Sequence, residues 1–248
     1  MRVKLVSPTA PANLLNTIAY TARVSNPSNQ ENVDTNEKLI RYLIKHKHWS
    51  PFEMANIVLE INTTRDIAKQ ILRHRSFSFQ EFSQRYAKPD SMGYPFEMRE
   101  ARLQDTENRQ NSIELNENAS YIHHQWIGHQ NRVLRAAETA YNWAIDSGIA
   151  KEQARAVLPE GLTKTRLYMN GTVRSWIHYI DLRTSPETQK EHRDIATLCA
   201  ACIDVVFPMI LDSVSYTHLR AHETREDRGF RLVRVKKKRG GGGGGGGG

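Results

Sequence analysis

"IVLEINTTRDIAKQILRHRSFSFQEFSQR", residues 57 to 85, decides the fold. At its start Ile57, Leu59 and Ile61 alternate with Val58, Glu60 and Asn62, the period of a half-buried strand. Thr63 and Thr64 then offer hydroxyls for a helix start, and Ile67 and Ile71 stand four apart, so a helix follows the strand directly. At ~100° per residue, Gln70, Arg73 and His74 fall within one arc of that helix. It gives way at Arg73-His74-Arg75 to a polar and aromatic loop. Glu81, Ser83 and Arg85 occupy alternate positions in that loop and point to one side if the chain is extended.

A run of this kind has two readings. Most charge runs are solvated turns with local ion pairs. The alternative is an anion site, because guanidinium forks match phosphate in bidentate geometry. A histidine at a helix end adds a donor or a stacking ring. With a carboxylate and a hydroxyl nearby, the set suits a sugar phosphate.

Outward from this stretch, "RVKLV" near the N-terminus alternates as a strand. "NEKLIRYLIKHK" has Leu39, Tyr42 and Leu43 at helical spacing and is broken by His48-Trp49-Ser50-Pro51. Residues 90–118 are polar and weakly periodic and read as a surface excursion. "SYIHHQWIGHQNRVLRAAETAYNWAIDSG" is a long amphipathic helix ending at Gly148. "KEQARAVLP" is a shorter helix stopped by Pro159, and "GTVRSWIHYIDLR" is a third. "SPETQKEHRDIATLCAACIDVVFP" is expected to start with Ser185 as cap and Pro186 in the first turn. Strands come early and helices cluster late, which favours α+β over an alternating βαβ fold.

The end of the chain distorts the composition. Residues 214–248, "VSYTHLRAHETREDRGF…", close on nine glycines and keep no periodicity. They read either as a disordered basic tail or as adapter read-through with no part in the protein. On the second reading the natural chain is cut off near Ser213. The segment holds nine Lys/Arg and three Asp/Glu of the chain's 35 and 27, so residues 1–213 carry only +2 of the net +8. The body therefore lacks the charge of a nucleic-acid-binding protein, although basic surface and tail leave that class as the main rival. Residues 1–213 suit one large domain or two intimately joined ones. No apolar run reaches the ~20 residues of a membrane span, and no signal-peptide core opens the chain. A cytoplasmic protein without membrane contact is the expectation.

Two cysteines, Cys199 and Cys202, fall on one face of an alanine-rich helix and read as small buried residues. His123, His124 and His129 read as a polar helix face rather than metal ligands, and no metal site is expected. No Gly-x-Gly-x-x-Gly or P-loop occurs, so a Rossmann mode of flavin binding is disfavoured.

"RHRSFSFQEFSQR" resembles the mark of the flavin-dependent thymidylate synthases (ThyX): Arg-His-Arg, seven residues, then serine, here Arg73, His74, Arg75 and Ser83. Gln80 stands where the family usually has asparagine. "HWSPFE" (48–53), "ARAVLP" (154–159) and "RSWIHYIDLR" (174–183) are similar to three further family segments, in the family's order. The four together cover the chain from about residue 45 to 195. The resemblance implies a ThyX-like α+β fold, with early antiparallel strands and a helix-rich second half. It implies methylation of dUMP to dTMP, with FAD as cofactor and NADPH and methylenetetrahydrofolate as co-substrates. It also implies a homotetramer with active sites shared between subunits.

Residue by residue, the resemblance implies FAD contacts at Ser50, Arg73, His74, Arg75, Glu81, Arg174 and His178. It implies dUMP contacts at Gln70, Arg73, Glu81, Ser83, Arg85, Arg155 and Arg183, with Arg183 activating the uracil ring. Where the family reads Asn-x-Arg-Ser this chain has "NGTVRS", so either Asn170 or Thr172 takes the asparagine's place on the flavin. The chemistry agrees. Stabilising a ring that has lost its N3 proton needs a guanidinium in a dry site rather than a cysteine nucleophile.

Overall fold

The computed structural model describes residues 1–8, 14–116 and 120–213. The segment 214–248, and positions 117 and 118 of the expected excursion, lie outside the described residues. The centre is a four-stranded antiparallel sheet in the order β1-β2-β6-β3. These strands are β1 (Arg2–Pro8), β2 (Asn56–Thr64), β3 (Ser78–Glu81) and β6 (Lys164–Thr172). The expected alternation in β2 holds: Ile57, Leu59 and Ile61 are fully buried while Val58, Glu60 and Asn62 are half exposed. Burying each such isoleucine or leucine stabilises by about 1.5–3 kcal/mol.

β6 is an addition to the expected elements, and it takes in Gly171 and Thr172, which were expected to open a helix. Its sequence alternates, with Thr165, Leu167, Met169 and Gly171 buried and the residues between them turned outward. It pairs with β2 over its whole length, from Asn56 opposite Thr172 to Thr64 opposite Lys164. On its other edge it pairs with β3, where Ser78 faces Asn170 and Glu81 faces Leu167. The segment expected as loop after Arg75 is therefore partly strand.

Around the sheet lie α1 (Leu14–Ala22), α2 (Asn36–Lys45), α3 (Arg65–Ile71), α4 (Ser120–Asp146), α5 (Lys151–Ala154), α6 (Val173–Arg183) and α7 (Lys190–Asp204). The late helices α6 and α7 pack with β1 and β2 in one core that includes Ile67, Ile71, Trp176, Tyr179, Ile195, Cys199 and Ile203. The α+β expectation holds. α1 is an addition to the expected elements. In α2, Ile40 and Leu43 are the buried apolar residues, while Tyr42 is turned outward. α4 stops at Asp146, and Gly148 takes a left-handed φ of +80° that lets Ile149 N–H reach back to Ala144 O at 2.9 Å.

Two expected boundaries move. α3 ends at Ile71, so Arg73 and His74 lie beyond it and share no helical arc with Gln70. α7 begins at Lys190, not at Ser185. Ser185 instead closes a turn, accepting Thr188 N–H at 3.0 Å and donating its hydroxyl to Glu187 at 2.6 Å.

Residues 90–116 are more than an excursion. Phe96 is 3% exposed and bridges to Thr163. A short hairpin, β4 (Arg102–Gln104) with β5 (Ser112–Glu114), follows. Arg99 and Arg102 anchor this segment on Glu191 of α7. No helix among the described residues is long and apolar enough to cross a membrane.

Candidate active site

The residues singled out from the sequence gather in three groups. The first forms where the turn after α3 meets the end of α6. Arg183 Nε donates to His74 Nε2 at 2.9 Å. His74 packs edge-on against Tyr179, with ring centroids 4.9 Å apart. Burial, with the positive charges of Arg183 and Arg73, lowers the His74 pKa to about 4. A neutral ring can accept at Nε2, which leaves its proton on Nδ1. Burial also lowers the Arg183 pKa from its ordinary value, Tyr179 opposing and Arg73 adding to the shift. The guanidinium stays charged but only partly solvated. Arg73 and Arg75 are exposed beside this pair.

Phe77 fixes the turn that carries these residues. Its ring stacks among Trp176, Tyr179 and His74, at centroid distances of 4.9, 5.9 and 6.4 Å. Gly171 on β6 gives it room: a Cβ there would lie 2.3 Å from the Phe77 ring. "NGTVRS" is thus strand up to Thr172 and helix from Val173. Thr172 caps α6, its hydroxyl accepting Ser175 N–H at 3.1 Å. Asn170 sits within β6, opposite Val58.

The second group lies at the far end of β3. Glu81 accepts the Thr165 hydroxyl at 2.9 Å and faces Arg65 at 3.7 Å. Past Glu81 the chain turns, with Tyr86 N–H bonded to Ser83 O at 3.1 Å. The extended alternation expected for Glu81, Ser83 and Arg85 therefore fails after Glu81. Arg85 instead reaches Glu152 at 3.4 Å and lines a groove of about 460 Å³ with Tyr86 and Lys151. Arg155 follows at the end of α5, half-buried. At ~3.3 Å per residue, β3 sets this group roughly 10 Å from the first.

The third group surrounds the start of α6. Arg174 pairs with Glu53, and Ser175 Oγ donates to Ser76 O at 3.2 Å. His178 lies edge-on to Trp49 at 5.3 Å, next to the exposed Ser50. Burial, with the nearby Arg174 charge, lowers the His178 pKa from its ordinary value.

Behind the first group runs a chain of polar residues of which the sequence reading singled out only Gln70. Tyr179, His192, Gln70, Gln189 and Glu191 are hydrogen-bonded in that order. Burial pushes the Glu191 carboxyl up, but Arg102 and Arg99 hold it at about 2. A signal was available. His192 interrupts the apolar stripe Ile195, Ala196, Cys199 of α7, and a polar group in such a stripe needs a buried partner. Gln189 also lines a cavity of about 600 Å³ between the β4–β5 hairpin and the starts of α4 and α7. Among the described residues no cluster of histidine, cysteine and carboxylate could hold a metal ion.

Comparison with known proteins gives the same reading. The family model described as thymidylate synthase complementing protein matches residues 4–209. A protein of Paramecium bursaria Chlorella virus 1 named "Probable flavin-dependent thymidylate synthase" is 47% identical over 221 residues, covering 87% of this chain and all of that one. The flavin-dependent thymidylate synthase of Synechocystis sp. is 47% identical over 210 residues, covering 84% of this chain and 92% of that one. Among solved structures, the UMP/dUMP methylase PolB from Streptomyces cacaoi, bound with 5-Br dUMP, superposes with a TM-score of 0.71 at 25% identity. It covers 88% of this chain and 96% of that chain. By the match of its length and of its motifs, the chain belongs to the thymidylate synthase complementing protein family, the flavin-dependent thymidylate synthases.

Proposed function

We propose that this chain converts dUMP to dTMP, using FAD, NADPH and methylenetetrahydrofolate, at a site organised by the Arg183–His74 pair. The relatives described above are named for nucleotide methylation, and the nucleic-acid reading gains nothing from them. The observation that carries the proposal is the partly buried guanidinium held by a neutral imidazole.

Uracil becomes nucleophilic at C5 when its N3 proton leaves and the ring gains negative charge. A guanidinium stabilises that charge best where water is scarce and its plane is fixed. His74 fixes the plane by accepting Nε–H, which leaves the two terminal nitrogens of Arg183 for the ring. Were His74 protonated it could not accept, and it would repel Arg183. Gln70 and Arg73 stand beside the pair to orient the base. Ser83, Arg85 and Arg155 supply a hydroxyl and two guanidiniums for the nucleotide's phosphate, with Glu81 at the sugar.

The residues assigned to FAD fit that group. Arg73, Arg75 and Arg174 provide cations for a pyrophosphate, and His74 and His178 provide flat donors. Ser50 and Thr172 provide hydroxyls, and Glu81 an acceptor. When bound, FAD supplies the hydride equivalent drawn from NADPH, while methylenetetrahydrofolate supplies the carbon. The homotetramer with shared sites implied by the family resemblance is part of the same proposal. We assign the activity to residues 1–213 and none of it to 214–248. The test is an absorption spectrum of the purified protein with and without dUMP, followed by an assay of dTMP formation. A yellow protein whose flavin band shifts with dUMP supports the reading. A folded protein that stays colourless with added FAD overturns it.

A further inference from the structure

The polar chain behind the first group has a direction. His192 is fully buried on α7. Its Nε2 lies 3.1 Å from the Tyr179 hydroxyl and its Nδ1 lies 3.4 Å from Gln70 Oε1. An amide oxygen can only accept, so Nδ1 carries the proton and Nε2 accepts from Tyr179 O–H. Gln70 then donates through Nε2 to Gln189 Oε1 at 2.7 Å. Gln189 in turn donates to Glu191 Oε2 at 2.8 Å. Glu191 is a carboxylate clamped by Arg102 and Arg99, so it can only accept. Every donor in the row points the same way, from Tyr179 to Glu191.

This direction settles an ambiguity. The oxygen and nitrogen of a glutamine amide are nearly equal in shape, and an unrestrained Gln70 could offer either to a ligand. His192 holds the oxygen inward and Gln189 takes one hydrogen of the nitrogen. The second hydrogen takes no part in the row, and Gln70 is only half-buried. We propose that His192 is a positioning residue that locks the Gln70 amide, so that Gln70 meets dUMP as a hydrogen-bond donor to one of its oxygens. The inference rests on the reading of Gln70 as a dUMP contact.

The experiment compares full-length variants by dUMP affinity, measured calorimetrically, and by the split between KM and kcat. His192→Asn places an amide nitrogen where Nδ1 stands and should keep dUMP affinity within about twofold of wild type. His192→Gln reaches instead toward Tyr179, and His192→Leu reaches neither. Both should weaken dUMP binding by about five- to tenfold, the effect of one hydrogen bond, with kcat little changed. In a Gln70→Ala background, His192→Gln should cause no further loss. Should His192→Leu fail to fold, the asparagine and glutamine variants still decide. Equal affinity in those two, or a loss that persists without Gln70, overturns the proposal. Unchanged affinity in Gln70→Ala alone removes the underlying dUMP contact and overturns both readings.

Discussion

Arg183 and His74, 109 residues apart in the chain, meet through a single hydrogen bond of 2.9 Å that joins the end of α6 to the turn after α3. The contact exists because β6 runs beside β3 and α6 returns along the sheet. The helix carries Arg183 back over the residues that precede β3. Strand pairing thus brings the two motifs together.

Arg183→Lys keeps a positive charge but loses the planar fork and its Nε–H. Turnover is expected to fall by ~10² or more, the scale of removing one oxyanion-type donor. FAD content should be retained, because Arg73, Arg75 and Arg174, the cations assigned to the flavin, are unchanged. Steady-state turnover with flavin absorbance checks both. Near-normal turnover would take Arg183 out of the activating role.

Acid should destabilise the fold early. His74 and His192 titrate near 6.5 when unfolded, but burial and the neighbouring Arg183 and Arg73 charges hold them at about 4 and about 3 in the native state. Below about pH 6.5 the unfolded chain therefore binds more protons, so stability is full above that pH and is lost as pH falls toward the folded values. Glu191, held at about 2, adds its own loss only below the ordinary carboxylate range. The melting temperature is expected to drop between pH 7 and 5, and His192→Leu should flatten the drop. An unchanged slope in that variant contradicts the assignment.

Much of this was legible in the sequence, and the losses have physical causes. The alternation of β2 was plain because Ile57, Leu59 and Ile61 face the core while polar residues face outward. β6 has the same period, but Gly171 and the polar or charged outward residues Lys164, Arg166, Asn170 and Thr172 lower its apparent strand character. α3 was drawn too long because Leu72 continues the apolar run that Ile71 ends. The functional motifs were visible because their residue types are unusual together. Their distribution over three groups was not, since that depends on pairing across the sheet. His192 escaped notice because a helix started at Ser185 puts no special weight on any one of its polar residues.

Replacing both cysteines should leave methyl transfer intact. Cys199 is fully buried, and burial, with Cys202 beside it, raises its thiol pKa well above the ordinary value, so a thiolate is disfavoured. Cys199→Ala with Cys202→Ala should cost a little stability through lost packing and none of the turnover per folded enzyme. Loss of activity in a well-folded double variant revives a thiolate mechanism.

Deleting residues 214–248 should leave FAD content and dTMP synthesis unchanged, since the family match ends at residue 209. The same deletion removes +6 of the net charge of +8. Any salt-sensitive retention on DNA should vanish with it, because such binding scales with the phosphates neutralised. Activity and melting temperature of 1–213 against 1–248 check this, and a clear drop in either sinks it.

Gly171→Ala tests how the arginine-bearing turn is held. The added methyl would meet the Phe77 ring at 2.3 and 2.4 Å, inside any van der Waals contact. The ring cannot simply swing away, because Trp176 and Tyr179 close on it at centroid distances of 4.9 and 5.9 Å and both are buried. Relief requires the backbone near Phe77 to move, and His74 is three residues away, its carbonyl bonded to Phe77 N–H at 3.3 Å. Overpacking of this kind costs about 1–3 kcal/mol, roughly 2–12 °C of melting temperature in a domain of this size. Turnover should fall further than stability alone explains, because His74 sets the plane of Arg183. Phe77→Leu in the same chain leaves room for the methyl and should recover part of both losses, a coupling that double-mutant analysis measures directly. Strictly additive effects of the two substitutions would show that Phe77 and Gly171 do not hold the turn together.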